Sequence, residues 1–167
     1  MTYISEQLLK TSLSLEPKDF NNDINNIIKH NLKDNIEGKC HEDGYIIKDS
    51  IQIIKRDIGR VMTNNGRSII KFLITYKARL IYPTENDIIN IWINNINKMG
   101  VIGYIKVNDD DSSDQSPLIV MVPREYFEGS SKNIHDLTSG QRLDIVVIGS
   151  RIKYHSDNIQ VIAKPLD

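Results

Sequence analysis

Residues 63–83 read TNNGRSIIKFLITYKARLIYP, and the order of residue types in this stretch decides the fold. Asn64-Asn65-Gly66 is a hairpin signal, because Asn and Gly tolerate the positive φ that a two-residue loop requires. The return strand is long. Ile70, Phe72, Ile74, Tyr76, Ala78, Leu80 and Tyr82 fall on one face, and Lys71, Thr75, Lys77 and Arg79 mostly on the other. That period of two is the signature of a half-buried strand. At about twice the usual strand length, it is expected to bend or to run out of one sheet into a neighbouring unit. Ile69, Leu73 and Ile81 interrupt the polar face and would leave an apolar patch there. Pro83 ends the strand.

Upstream, Leu9, Thr11, Leu13 and Leu15 alternate with Lys10, Ser12 and Ser14, a second strand that Glu16-Pro17 terminates. Phe20, Ile24, Ile27, Ile28, Leu32 and Ile36 then recur at three- and four-residue steps, which predicts a helix with one apolar face. Gly38 stands where a helix C-cap is expected. From Tyr45 to Met62 the chain is β-branched and apolar in short pieces, as in small strands leading into the hairpin.

Downstream of Pro83 the punctuation changes. Residues 88–96, 101–107, 118–122 and 143–148 read as strands, the last with 151–154 as a possible extension, and 159–163 reads as a fifth. Five short strands and no strong helix predict a small antiparallel barrel of the OB type. Residues 108–117 (NDDDSSDQSP) read as an exposed, mobile loop. The fold class is thus α+β: an N-terminal antiparallel sheet with one helix, residues 1–83, then a C-terminal five-stranded OB-fold β-barrel, residues 84–167.

Composition narrows the chemistry. The chain has 167 residues, 21 Lys+Arg against 22 Asp+Glu, and one Cys. The single Cys excludes an intramolecular disulfide and a Cys-rich zinc site, and it fits a reducing compartment. No apolar run approaches the ~20 residues of a membrane span, and the N-terminus lacks a signal-peptide pattern. Charge is unevenly spread: residues 1–83 carry 13 basic and 10 acidic side chains, residues 84–167 carry 8 and 12. His30, His41, His135 and His155 are scattered, and Cys40-His41 lacks a second pair, so no metal site is read. Gly100 and Gly103 sit between strand residues rather than before a helix, and Gly149-Ser150-Arg151 lacks a nucleophile-elbow context. The Asp109–Asp111 run has neither the alternating ligands nor the closing Glu of a calcium loop. No catalytic residue, metal or cofactor is expected.

The pieces between Leu9 and Ile89 are similar to the stalk subunit of multisubunit RNA polymerases, the seventh subunit of eukaryotic RNA polymerase II and its archaeal counterpart. The resemblance rests on LKTSLSLEP (residues 9–17), IEGKC (36–40), GYII (44–47), NNGR (64–67), ITYKARLIYP (74–83) and DII (87–89), in the family's order and near its spacing. It implies a polymerase-docking tip domain, residues 1–83, and an OB domain, residues 84–167. It further implies a non-catalytic subunit of a DNA-directed RNA polymerase that docks on the core near the clamp and guides nascent RNA. The expected partners are the large core subunits, a small second stalk subunit and weakly bound, non-specific single-stranded RNA, with no membrane. A stand-alone OB-fold RNA-binding factor in translation or RNA decay is the alternative.

Gly38, Gly44, Asn64, Asn65, Gly66 and Arg67 match the family's loop positions and are the docking candidates, with Arg60 and Arg67, near the two ends of the hairpin, as the candidates for polar contacts with the core. For RNA, the second- and third-strand stacking positions are aliphatic here, which leaves Tyr104, Tyr126 and Tyr154 as platforms and Lys106, Arg124, Arg151 and Lys153 as phosphate contacts. The 29 Ile and 16 Asn beside 2 Ala are the bias of an AT-rich genome. With a diverged stalk subunit, this bias points to a large DNA virus. The location is then intracellular: virion and host cytoplasm if viral, nucleus if cellular.

Overall fold

The computed structural model describes residues 3–167. In chain order the elements are β1 (Ile4–Leu15), α1 (Ile24–Ile36), β2 (Cys40–His41), β3 (Gly44–Ile46), β4 (Gln52–Arg56), β5 (Arg60–Asn64) and β6 (Arg67–Ile81). They continue as β7 (Ile88–Asn97), β8 (Gly100–Tyr104), β9 (Leu118–Pro123), β10 (Arg142–Arg151) and β11 (Ile159–Pro165). The chain divides into two compact units. One comprises Glu6–Glu37 and Ile46–Leu80; the other comprises residues 3–5, Gly38–Tyr45 and Ile81–Asp167. No helix among the described residues is long and apolar enough to cross a membrane.

In the helical unit, β6 is the strand on which the others align. β1 lies beside it. β5 pairs antiparallel with its first third, from Asn64↔Arg67 to Arg60↔Lys71, and β4 with its middle, from Arg56↔Ile74 to Gln52↔Lys77. A bulge between Ile53 and Lys55 lets β4 curve along β6. Asn65 and Gly66 have φ of 51° and 77°, so the hairpin closes in the tight turn that Asn-Gly favours. Phe72, Ile74, Tyr76, Ala78 and Leu80 are all at most 1% exposed, and Ile24, Ile28 and Leu32 of α1 join Leu13, Leu15, Ile46 and Ile51 in the same core. Burial of each large aliphatic or aromatic side chain contributes about 1.5–3 kcal/mol, so this row and its helical counterpart dominate the unit's stability.

Three expectations change here. The helix starts at Ile24 rather than Phe20: Pro17–Asp19 form a 3-10 turn, and the Asn21 side chain accepts the Asp23 N–H at 2.8 Å, an Asx turn that delays helix entry. Phe20 is therefore half exposed, its ring parallel to that of Phe72 at 6.4 Å. Tyr82 is exposed, whereas Ile81 is fully buried. Leu80 belongs to the helical unit and Ile81 to the other. The strand passes between two cores, so the inward phase set by the first does not continue into the second. The apolar patch expected from Ile69, Leu73 and Ile81 consequently loses Ile81, and Leu73 is its exposed member.

The second unit is built on a closed barrel of order β10-β11-β9-β8-β7, with β7 returning to β10. This is the OB arrangement. One pairing is parallel, β11 with β9, so the barrel is mixed rather than wholly antiparallel. Ile89, Ile91 and Ile93, Val101, Leu118, Val120 and Val122, Leu143, Ile145 and Val147, and Ile159, Val161 and Ala163 all point inward. β8 ends at Tyr104, short of the expected residue 107, because the backbone turns into a structured loop. The Asp111 carboxylate accepts the N–H groups of Val107 and Asn108, and the buried Ser116 hydroxyl accepts the Ile105 N–H while donating to the Leu118 carbonyl. The acidic stretch is therefore largely exposed but internally hydrogen-bonded.

Residues Gly38–Tyr45 fasten to this unit through the turn after β10. The Cys40 N–H donates to the Ser156 carbonyl at 2.8 Å, the His155 N–H donates to the Cys40 carbonyl at 3.0 Å, and the Cys40 thiol donates to the Asn158 carbonyl. Burial pushes the Cys40 thiol up, and mainly burial pushes the Tyr45 hydroxyl up to about 12, so both groups sit there neutral. Gly44 makes the approach possible: at φ +131°, a β-carbon would lie 2.6 Å from the Ile81 carbonyl oxygen. Gly44→Ala is expected to cost about 2–4 kcal/mol. Gly66→Ala, with nothing near its β-carbon position, is expected to cost about 1 kcal/mol. Urea unfolding of the two variants checks this; equal losses would contradict it.

Candidate functional site

Two surfaces, one on each unit, hold the residues singled out from sequence. On the barrel, the outward positions of successive strands come into register. Arg142 on β10 pairs with Trp92 on β7, Trp92 with Tyr104 on β8, Tyr104 with Ile119 on β9, and Ile119 with Gln160 on β11. Gln160 in turn pairs with Arg151 at the end of β10. The barrel thus wears a band with cations at both ends and aromatic rings toward one of them. Ile102, Met121 and Ile162 form a parallel aliphatic row beside it.

At the Trp92 end, the Arg142 guanidinium lies 4.4 Å and the Lys106 ammonium 5.1 Å from the ring centroid, both cation–π contacts. Lys106 also donates to the Asp109 carbonyl at 3.2 Å, which holds the acidic loop next to this group. At the other end Arg151 and Lys153, with Ser156, Asn158 and Gln160, line a cleft of about 260 Å³. Cations spaced along a groove neutralise phosphates, and exposed rings and guanidinium planes stack on bases.

The structure brings together some candidates and separates others. Tyr104 and Lys106 meet around Trp92, and Arg151 and Lys153 share the cleft. Tyr154 turns elsewhere, its ring 5.5 Å from His41 and 4.1 Å from His155. Arg124 and Tyr126 lie in the 3-10 turn Arg124–Phe127 and line different depressions. Trp92 and Arg142 are the residues that sequence reasoning missed. A signal existed: Trp92, the single Trp, occupies the outward phase between inward Ile91 and Ile93.

The docking candidates fall on both units. Gly38 and Gly44 belong to the segment fastened to the barrel, and both have positive φ. Arg60, Asn64, Asn65, Gly66 and Arg67 are together on the β5–β6 hairpin, every residue of β5 being exposed. Among the described residues no cluster of three or more His, Cys, Asp or Glu is placed to hold a metal ion.

Against this geometry, residues 10–66 match the family model described as the SHS2 domain found in the N terminus of Rpb7p/Rpc25p/MJ0397. The matched segment runs from within β1 to the turn of the β5–β6 hairpin. Residues 10–66 therefore resemble an Rpb7-type N-terminal domain. The chain is 25% identical over 170 residues to a protein of Acanthamoeba polyphaga mimivirus that carries the provisional name DNA-directed RNA polymerase subunit L376. That alignment covers 95% of this chain and 80% of the relative. It is 32% identical over 100 residues to DNA-directed RNA polymerase II subunit rpb7 of Schizosaccharomyces pombe, covering 58% of this chain and 56% of that protein.

Because Trp92 is the only Trp, its emission reports on the band directly. Titration with a 12-mer oligouridylate is expected to quench it. Tyr104→Ala should weaken binding about tenfold, and Arg151→Gln and Lys153→Gln should each lower the salt slope by about one. An unquenched signal, or unchanged affinity in Tyr104→Ala, would contradict this assignment of the band.

Proposed function

We propose that this chain is a non-catalytic stalk subunit of a DNA-directed RNA polymerase, docking on the core near the clamp and guiding nascent RNA. The observation that carries the reading is the combination in one chain of an Rpb7-type N-terminal segment, residues 10–66, with a closed five-stranded barrel behind it. The names of the two relatives support a polymerase as the partner. Residues 1–83 supply the docking domain and residues 84–167 the OB domain.

Charge supports this division of labour in part. The hairpin end of the docking half is basic, whereas the OB half has an acidic balance concentrated in residues 109–114. The band carries cations at its two ends, Arg142 and Lys106 at one and Arg151 and Lys153 at the other, so RNA is held there weakly and without sequence preference. The large core subunits are the principal partners, with a small second stalk subunit beside them. The mimivirus relative and the AT-rich composition support a viral polymerase, and with it a location in virion and host cytoplasm.

Affinity purification of the tagged chain from the cells in which it is made tests the reading. Stoichiometric recovery of the two largest polymerase subunits is expected. Recovery of ribosomes or bare RNA without them would instead favour a free RNA-binding factor.

A further inference from the structure

β5 is an edge strand whose backbone has work left to do. In the antiparallel ladder the Asn64↔Arg67 pair next to the two-residue turn is hydrogen-bonded, so Met62↔Ile69 and Arg60↔Lys71 are too. Val61 and Thr63 therefore turn their N–H and C=O groups away from β6. No strand or side chain meets them among the described residues. Natural proteins usually blunt such an edge. Here the strand carries one charge, Arg60, and is otherwise flanked by apolar side chains on both faces: Val61, 75% exposed, lies opposite Ile70 on one face, and Met62, 46% exposed, lies opposite Ile69 on the other. Ile58, just before the strand, is 92% exposed.

The charge around this edge has one sign. Lys55, Arg60, Arg67 and Lys71 make no salt bridge among the described residues. The single acid between residues 52 and 72, Asp57, is consumed internally, its carboxylate accepting the N–H groups of Gly59 and Leu73 at 3.1 and 3.0 Å. Arg56 is also occupied, donating to Asn25 and lying 5.4 Å from the Phe72 ring. Residues 58–71 contain no aromatic side chain, so the hairpin lacks the stacking platforms by which single-stranded RNA is held. Unpaired amides, two apolar faces and unpaired cations together fit an extended peptide strand bearing carboxylates.

We propose that the outer edge of β5 docks by strand addition, accepting an extended acidic segment of the polymerase core between Val61 and Thr63. This deepens the functional reading above and rests on it. Main-chain hydrogen bonds at Val61 and Thr63 fix the added strand, its apolar side chains cover Val61 and Met62, and its carboxylates meet Arg60 and Lys71.

The test uses the full chain and proline as a backbone probe. Val61→Pro removes only an outward N–H and leaves the β5–β6 ladder intact. Arg60→Glu with Lys71→Glu reverses the charge without touching the backbone, and so keeps the test valid if the proline variant melts early. With the wild-type chain recovering the two largest polymerase subunits, each variant is expected to recover at least about tenfold less. Carbodiimide, which joins amines to carboxylates at zero length, should couple Lys71 of the wild-type chain to an Asp or Glu of a core subunit. If both variants recover the core as well as wild type does, or if the hairpin cross-links to RNA rather than to a core carboxylate, strand addition is wrong while the subunit reading stands. If the wild-type chain itself recovers no polymerase, the subunit reading fails and this proposal falls with it.

Discussion

Phe72, Ile74, Tyr76, Ala78 and Leu80 stand on one face of a single fifteen-residue strand, and the helical unit is organised by that row. α1 supplies the matching apolar face, β1 flanks the strand, and β5 and β4 take successive thirds of its length. A strand this long cannot be covered by one short neighbour. It therefore needs several, and at one end its neighbour is the fully exposed β5 of the hairpin. The exposed hairpin and the packed core are two consequences of the same length.

The strand's far end shows where such regularity stops. Leu80 and Ile81 are adjacent and both fully buried, which period-two alternation forbids around a single core. The change of unit at this point explains it, and it also explains why Tyr82, inward by simple alternation, is exposed. Gly44 meets the same segment from β3, where its missing side chain lets two backbones come together.

Much of the architecture is legible in the sequence because Ile, Val and Leu mark nearly every inward position of the barrel strands and of α1. The five strands of the barrel fall within a few residues of expectation. The parallel pairing of β11 with β9 is not legible, since alternation reports which face is buried and not which neighbour is bonded. The helix start is misplaced by apolar spacing because Phe20 continues that spacing, whereas the Asn21 side chain, a local competitor for backbone N–H groups, determines where the helix begins. The site is less legible than the fold. Tyr104 and Lys106 stand out singly, but their meeting at Trp92, and the arrival of Arg142 from a strand fifty residues away in sequence, depend on barrel closure. The aliphatic residues at Ile102, Ile119 and Met121 draw attention away from the first strand, where the ring lies.

In the proposed stalk subunit the β5–β6 hairpin meets the polymerase core while the barrel meets RNA. Photo-cross-linking in a transcribing complex tests it most directly, with a photoreactive residue at Asn65 in one preparation and at Tyr104 in another. Asn65 is expected to couple to a large polymerase subunit and not to transcript, and Tyr104 to nascent RNA once it has left the enzyme. Coupling of Asn65 to RNA, or of Tyr104 only to protein, would contradict it.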